Sequence, residues 1–207
     1  MNTFDFDPSG AHEMPRWTAE EFALKKYHLP DGGRWTELAA GEPVAFSPPD
    51  DRHGTVVLNL TKALAEFAQR EHVGYACFEI GLVLVRNPDT VRCPPISYFT
   101  QGDQFAESDR DITTSIPALV VEIASTNDRR RNQSERVQAY LDWGVKAIWV
   151  IDTVDQSVHV FEKDRAPHVH PRSQKLLGSG DLCEFQVPVA ELFEEPSWWQ
   201  SGKRNGH

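Results

Sequence analysis

Pro117-Ala118-Leu119-Val120-Val121-Glu122-Ile123-Ala124 is an apolar run carrying a single carboxylate, and the polar, basic residues 125–136 follow it directly. An apolar run of roughly four to eight residues bounded by turn formers reads as a buried strand. A charge left unpaired inside such a strand costs several kcal/mol, so Glu122 needs a compensating partner. Two kinds are available, a cationic side chain or a metal ion. Arg129, Arg130 and Arg131 stand nearby in the sequence and are the expected partners if no metal binds.

Working outward from this strand, residues 132–143 read as a helix stopped by Gly144, and residues 145–151 as a further strand. Together they make a strand–helix–strand unit at the centre of an α/β sheet. Residues 152–156 turn, and residues 157–161 return as a hairpin strand. Upstream, Thr18-Ala19-Glu20-Glu21 fits a capping box that opens a short helix ending near Tyr27. Pro30-Asp31-Gly32-Gly33 is a turn, and residues 34–46 read as a hairpin around Gly41. A longer helix covers residues 52–71, with Val56, Val57, Leu60, Leu64 and Phe67 on one face. Residues 75–85 read as one strand, Asn87-Pro88-Asp89-Thr90 as a turn, and residues 96–99 as another strand. Residues 101–114 read as a polar, acidic loop. Residues 181–187 are expected to be a strand, and residues 189–193 a helical turn. One domain over residues 16–195 is expected, between a disordered tail at 1–15 and a C-terminal tail at 196–207.

The chain has 207 residues, 40% hydrophobic and 25% charged, which suits one domain with a sizeable core. Its net charge of −10 argues against a surface that attracts nucleic acid everywhere, while leaving room for a local basic groove. No apolar run approaches the roughly 18–20 residues a membrane helix needs, and the N-terminal stretch lacks the apolar centre of a signal peptide. Cys77, Cys93 and Cys183 have no metal-ligand spacing and are odd in number. They read as reduced thiols of a cytoplasmic protein.

The order of pieces then becomes recognisable. Glu122 on a strand, Ser125-Thr126, a helix bearing Tyr140, Gly144-Val145 and Trp149-Val150-Ile151-Asp152 follow one another. Trp35-Thr36-Glu37-Leu38 with Gly41-Glu42, Ser47-Pro48-Pro49 with Arg52-His53, and Glu191-Leu192-Phe193 stand in matching order around them. Over residues 15–194 the chain resembles the Uma-two family of putative restriction endonucleases, within the PD-(D/E)XK nuclease superfamily. The resemblance implies a restriction-endonuclease-like α/β core, a mixed β-sheet flanked by helices with added hairpins. It also implies metal-assisted hydrolysis of DNA phosphodiesters. In that chemistry carboxylates at adjacent strand ends hold magnesium or manganese, which activates the attacking water, and a lysine stands beside them. Glu122 takes the place of a metal ligand, and Glu37 and His53 fall at cleft positions.

Two positions depart from the family pattern. In Arg92-Cys93-Pro94-Pro95-Ile96-Ser97-Tyr98-Phe99 a proline, Pro95, stands where the family has its aspartate, and proline offers no ligand atom. Arg136, four residues before Tyr140, occupies the lysine slot. It keeps the charge but not the compact ammonium. Asn132 replaces a further aspartate. Glu79, in Cys77-Phe78-Glu79-Ile80, is the candidate replacement ligand, unless its strand turns it to solvent. Two functions therefore stay open. One is a magnesium- or manganese-dependent endonuclease with Glu122, Arg136, Glu37 and His53 as catalytic residues and Glu122 with Glu79 on the metal. The other is an inactive nuclease-fold protein, without metal, that binds DNA or a protein partner or acts as a regulatory homo-oligomer. A homodimer is expected. Arg129-Arg130-Arg131 read as phosphate contacts or as a solvated loop, and His168-Val169-His170 as alternate positions on a strand, a pattern seen in metal sites and more often without a role. Trp198-Trp199 read as a cover for the core or an interface.

Overall fold

In the computed structural model, which describes residues 16–196, the N-terminal part runs α1 (Ala19–Lys25), β1 (Thr36–Ala39), β2 (Glu42–Ala45), α2 (Asp51–Glu71), β3 (Tyr75–Phe78), β4 (Gly81–Val85) and β5 (Thr90–Arg92). It continues through β6 (Ile96–Phe99), β7 (Ile112–Thr113), β8 (Leu119–Ala124), α3 (Asn127–Arg131), α4 (Gln133–Trp143) and β9 (Ala147–Asp152). The last elements are β10 (Ser157–Glu162), β11 (His168–Pro171), β12 (Lys175–Leu177), β13 (Gln186–Pro188) and α5 (Val189–Leu192). The strands form a six-stranded sheet in the order β11-β10-β9-β8-β6-β3 and a five-stranded sheet in the order β2-β1-β5-β4-β7, with β12 and β13 paired apart. This is the mixed, helix-flanked α/β architecture that the resemblance implied.

Local chemistry sets the helix ends. Thr18 and Glu21 close the capping box on α1 reciprocally, and the Asp50 side chain caps α2 by accepting from the His53 amide at 2.9 Å. Gly144, at φ 116°, ends α4 in the left-handed conformation that glycine adopts without strain.

Alternation along β8 then sorts its side chains between two helices. Leu119, Val121 and Ile123 pack with Val56, Leu60, Leu64 and Phe67 of α2. Val120 and Ala124 pack with Val137 and Tyr140 of α4. Each fully buried aliphatic side chain here contributes roughly 1.5–3 kcal/mol of transfer free energy. β8 lies in the interior of its sheet, flanked by parallel β9 and antiparallel β6; Glu122 pairs with Val150 of β9, and the β6 ladder ends one residue before it, at Val121.

Four expectations need correction. Residues 75–85 are two strands, not one: Glu79 adopts φ 50°, the chain breaks there, and β3 and β4 belong to different sheets. The 101–114 loop ends in β7, which pairs in parallel with β4. A helix of its own, α3, occupies part of the polar segment after Glu122. The strand expected over 181–187 is a 3-10 turn, Gly180–Leu182, followed by β13. The tail readings and the Trp198-Trp199 reading lie outside the described residues. No helix among the described residues is long and apolar enough to cross a membrane.

Candidate functional site

Period two places Glu122 on the α4 face of β8, between Val120 and Ala124. On α4 the spacing i, i+1, i+4 puts Arg136, Val137 and Tyr140 on the inward side, so Arg136 and Tyr140 both reach the Glu122 carboxylate. Arg136 Nε and Nη2 donate to Glu122 Oε1 at 3.1 and 2.6 Å, and the Tyr140 hydroxyl donates to the same oxygen at 2.6 Å. The other edge of the guanidinium grips Glu37 of β1 with a two-pronged contact, Nη1 to Oε2 at 2.6 Å and Nη2 to Oε1 at 2.9 Å. Arg92 Nη1 adds a third bond to Glu37 at 3.0 Å, and the Cys93 amide a fourth at 2.9 Å. Two carboxylates thus meet two guanidiniums, and all four hydrogen bonds between Arg136 and the carboxylates are charge-assisted.

Burial makes this cluster matter. Glu37, Glu122 and Arg136 expose only 4%, 7% and 6% of their surface. Burial pushes the Glu37 pKa up, but Arg136, then Arg92 and the Cys93 amide, outweigh it and hold the carboxyl below its usual value. Burial likewise disfavours the Arg136 charge, yet Glu122, Tyr140 and Glu37 hold its pKa well above the ordinary value. Burial and the adjacent Glu122 push the Tyr140 hydroxyl well up, so it stays a neutral donor. The cation that compensates Glu122 is therefore Arg136, not the expected Arg129, Arg130 or Arg131. Arg130 is bound instead to Asp152 at the end of β9.

The residues expected to share a site separate into two groups. Glu37, Glu122 and Arg136 converge. His53, in the first turn of α2, lies at the mouth of the same cleft, its Nδ1 3.3 Å from Ser125 Oγ just past β8. Burial, together with nearby Arg129, lowers its pKa to about 4 and leaves it neutral. Pro95 stands one register step beyond the Ile96↔Val121 pair, which sets it opposite Glu122 on the neighbouring strand. Glu79 is exposed at the break between β3 and β4 and makes no bond to the cluster. Glu37, His53, Glu79, Pro95 and Arg129 line a cavity of about 20 Å³, room for about one water. Among the described residues, no group of three or more His, Cys, Asp or Glu side chains is placed to hold a metal.

A magnesium ion needs near-octahedral oxygen ligands at about 2.0–2.1 Å. Here both Glu37 oxygens and Glu122 Oε1 are filled by N–H donors of Arg136, and Pro95 supplies no oxygen-bearing side chain. An ion would have to displace a guanidinium that does not lose its proton. The residues present do not fit the metal.

Around the mouth, cationic side chains lack carboxylate partners. The Arg129 guanidinium lies over the Trp35 and Phe46 rings, 6.0 and 5.7 Å from their centroids, and its Nε has no hydrogen-bond partner. Arg34 lies 5.9 Å from the Trp35 centroid. Arg52 reaches only the Thr153 carbonyl, at 3.4 Å. Among the described residues none of these three forms an ion pair within 4 Å, unlike Arg130 with Asp152. Sequence reasoning missed Arg92 and the Trp35–Arg129–Phe46 stack. An arginine one residue before Cys93, leading into the Pro95 strand, was the available signal for the first. For the second, hairpin spacing sets Trp35 beside Phe46, but nothing local announces that Arg129, from a distant segment, lies over both rings.

The profile of a family described as Uma2, putative restriction endonuclease, matches residues 19–190. No curated protein matches. Among solved structures, the crystal structure of a putative nuclease of the DUF820 family from Anabaena variabilis superposes with a TM-score of 0.69 at 19% identity, covering 85% of this chain and 97% of that one. At that identity the likeness concerns the fold.

Proposed function

The chain belongs to the Uma2 family, and from that premise we propose that it is a nuclease-fold protein that binds nucleic acid without cutting it. One observation carries the reading: Arg136 stands between Glu37 and Glu122, the two carboxylates on which a divalent ion would depend. Two negative and two positive charges cancel within the cluster, so it has no net charge with which to attract a cation. Without a bound metal the fold has no group that lowers the pKa of an attacking water. Neutral His53 is not a substitute, because its exposure to substrate is limited and its Nδ1 is engaged with Ser125.

Binding rests on the mouth of the cleft. Arg34 and Arg129, which line it, have no carboxylate partners among the described residues, which makes a local basic rim on a chain of net charge −10. Phosphate groups along a nucleic-acid backbone are the ligands such guanidiniums suit, by charge and by two-pronged geometry. Arg129, held over two rings, is already ordered for contact and loses little freedom on binding. The test combines two assays on the purified protein. Supercoiled plasmid and labelled oligonucleotides should remain intact with magnesium or manganese, while fluorescence anisotropy reports salt-dependent binding. Metal-dependent cutting that Glu122→Ala abolishes would overturn the first half; no binding at low salt would overturn the second.

A further inference from the structure

Trp35 and Phe46 stand opposite each other at the open end of the β1–β2 hairpin, where the Phe46 amide donates to the Trp35 carbonyl at 2.8 Å, one step beyond the Thr36↔Ala45 pair. Period two puts both side chains on the same face of the hairpin as Glu37 of the ion cluster. The two half-buried rings line two neighbouring spaces. One is the cleft mouth, where Arg34 lies 5.9 Å from the Trp35 centroid and Arg129 lies over both rings. The other is a second cavity, of about 240 Å³, whose walls are completed by Leu29, Pro30 and Pro43. Asp31 is the one charged residue on that lining, and no cationic side chain reaches it.

The two spaces differ in what they suit. Guanidiniums without carboxylate partners suit phosphate, whereas a cavity without cations, walled by two aromatic rings, suits a flat uncharged ring. Its volume is below the roughly 300–1,000 Å³ of pockets that take drug-sized ligands, which fits a single heterocycle. A nucleotide carries both groups on one sugar. We infer that the nucleic acid bound at the cleft mouth, the reading on which this one rests, is an unpaired strand of DNA or RNA, one base of which enters the second cavity against Trp35 and Phe46 while its phosphates lie on Arg34 and Arg129. In a duplex each base is paired and stacked between its neighbours, so its face is closed to a protein ring, whereas an unpaired strand can splay a base out. On a chain of net charge −10 a short cationic rim draws weakly on the phosphate charge of a duplex, so stacking decides the preference.

Fluorescein-labelled single-stranded DNA, single-stranded RNA and duplex DNA of one length and mixed sequence, each titrated with the full chain and followed by anisotropy, test the assignment. At least one single strand should bind about tenfold or more tighter than the duplex, and the tighter of the two identifies the source of the strand. Trp35→Leu keeps apolar bulk and removes the stacking surface. It should weaken single-strand binding by about tenfold, the loss of one base–aromatic stack, with the salt slope unchanged because no charge is lost. The strand comparison on the native protein needs no variant, so it decides the question even if Trp35→Leu fails to fold. A duplex bound as tightly as both single strands, or single strands bound unchanged by Trp35→Leu, overturns the inference and leaves nucleic-acid binding at the cleft mouth standing. Binding of none of the three at low salt removes that binding itself, and the inference with it.

Discussion

Arg136→Met keeps most of the arginine volume and removes all of its donors, and it isolates what the ion cluster does for stability. In the native protein Arg136 makes two hydrogen bonds to Glu37 and two to Glu122, all inside the fold. Removing one partner of a buried pair costs about 3–5 kcal/mol, because the remaining charges stay desolvated. Here two carboxylates are stranded, and Arg92 remains to support only Glu37. The loss is therefore placed at the upper end of that range. At about 2–4 °C per kcal/mol for a chain of this size, Tm should fall by roughly 10–20 °C.

The pH dependence sharpens the test. In the native protein the Glu37 pKa is held down, so its contribution is fully present above the unfolded carboxylate pKa and is lost as pH falls through the lower folded value. Without Arg136, burial dominates and the Glu37 pKa rises above its unfolded value. The variant then loses stability as pH rises, and the gap to the native protein narrows on going from pH 7 to pH 5. Urea unfolding followed by far-UV circular dichroism at the two pH values measures both effects. A loss below about 1 kcal/mol at pH 7, the range of exposed pairs, or a gap that does not narrow, refutes the reasoning.

Further outcomes follow from single groups. Tyr140→Phe deletes the hydroxyl that donates to Glu122 and should cost about 1.5–3 kcal/mol in urea unfolding, the usual worth of a hydrogen bond to a charged group. His53, with its pKa lowered to about 4, should keep a neutral imidazole at pH 5 by NMR titration. Since the unfolded state binds its proton first, the His53 contribution makes stability fall as pH drops from about 6.5 toward 4, and His53→Gln should flatten that slope. Arg129→Ala should weaken nucleic-acid binding alike across sequences and reduce the salt slope by about one, measured by anisotropy at several salt concentrations.

How much of this was legible in the sequence depends on the range over which each feature is encoded. Glu122, the helix bearing Arg136 and Tyr140, and the strand after it are local patterns, read off periodicity and the Gly144 stop. The family resemblance, not the periodicity, implied that Pro95 and Arg136 stand where the nuclease family has its aspartate and lysine. The partner of Glu122 was read wrongly because sequence proximity favoured Arg129–131, whereas strand and helix periods bring Arg136 beneath the sheet. The break at Glu79 is a left-handed residue in an otherwise apolar run, and no local composition rule flags it. Glu37 was marked by resemblance, but its bonds to Arg92 and the Cys93 amide join segments 55 and 56 residues apart, beyond the reach of any local pattern.

Whether Arg136 has taken the place of the metal is most directly measured by titrating the native protein and Glu122→Gln with manganese(II), following free ion by paramagnetic resonance. The account predicts that the two titrations coincide, with no ion held at the Glu37–Glu122 pair. A manganese ion bound one per chain by the native protein and released by Glu122→Gln would contradict it.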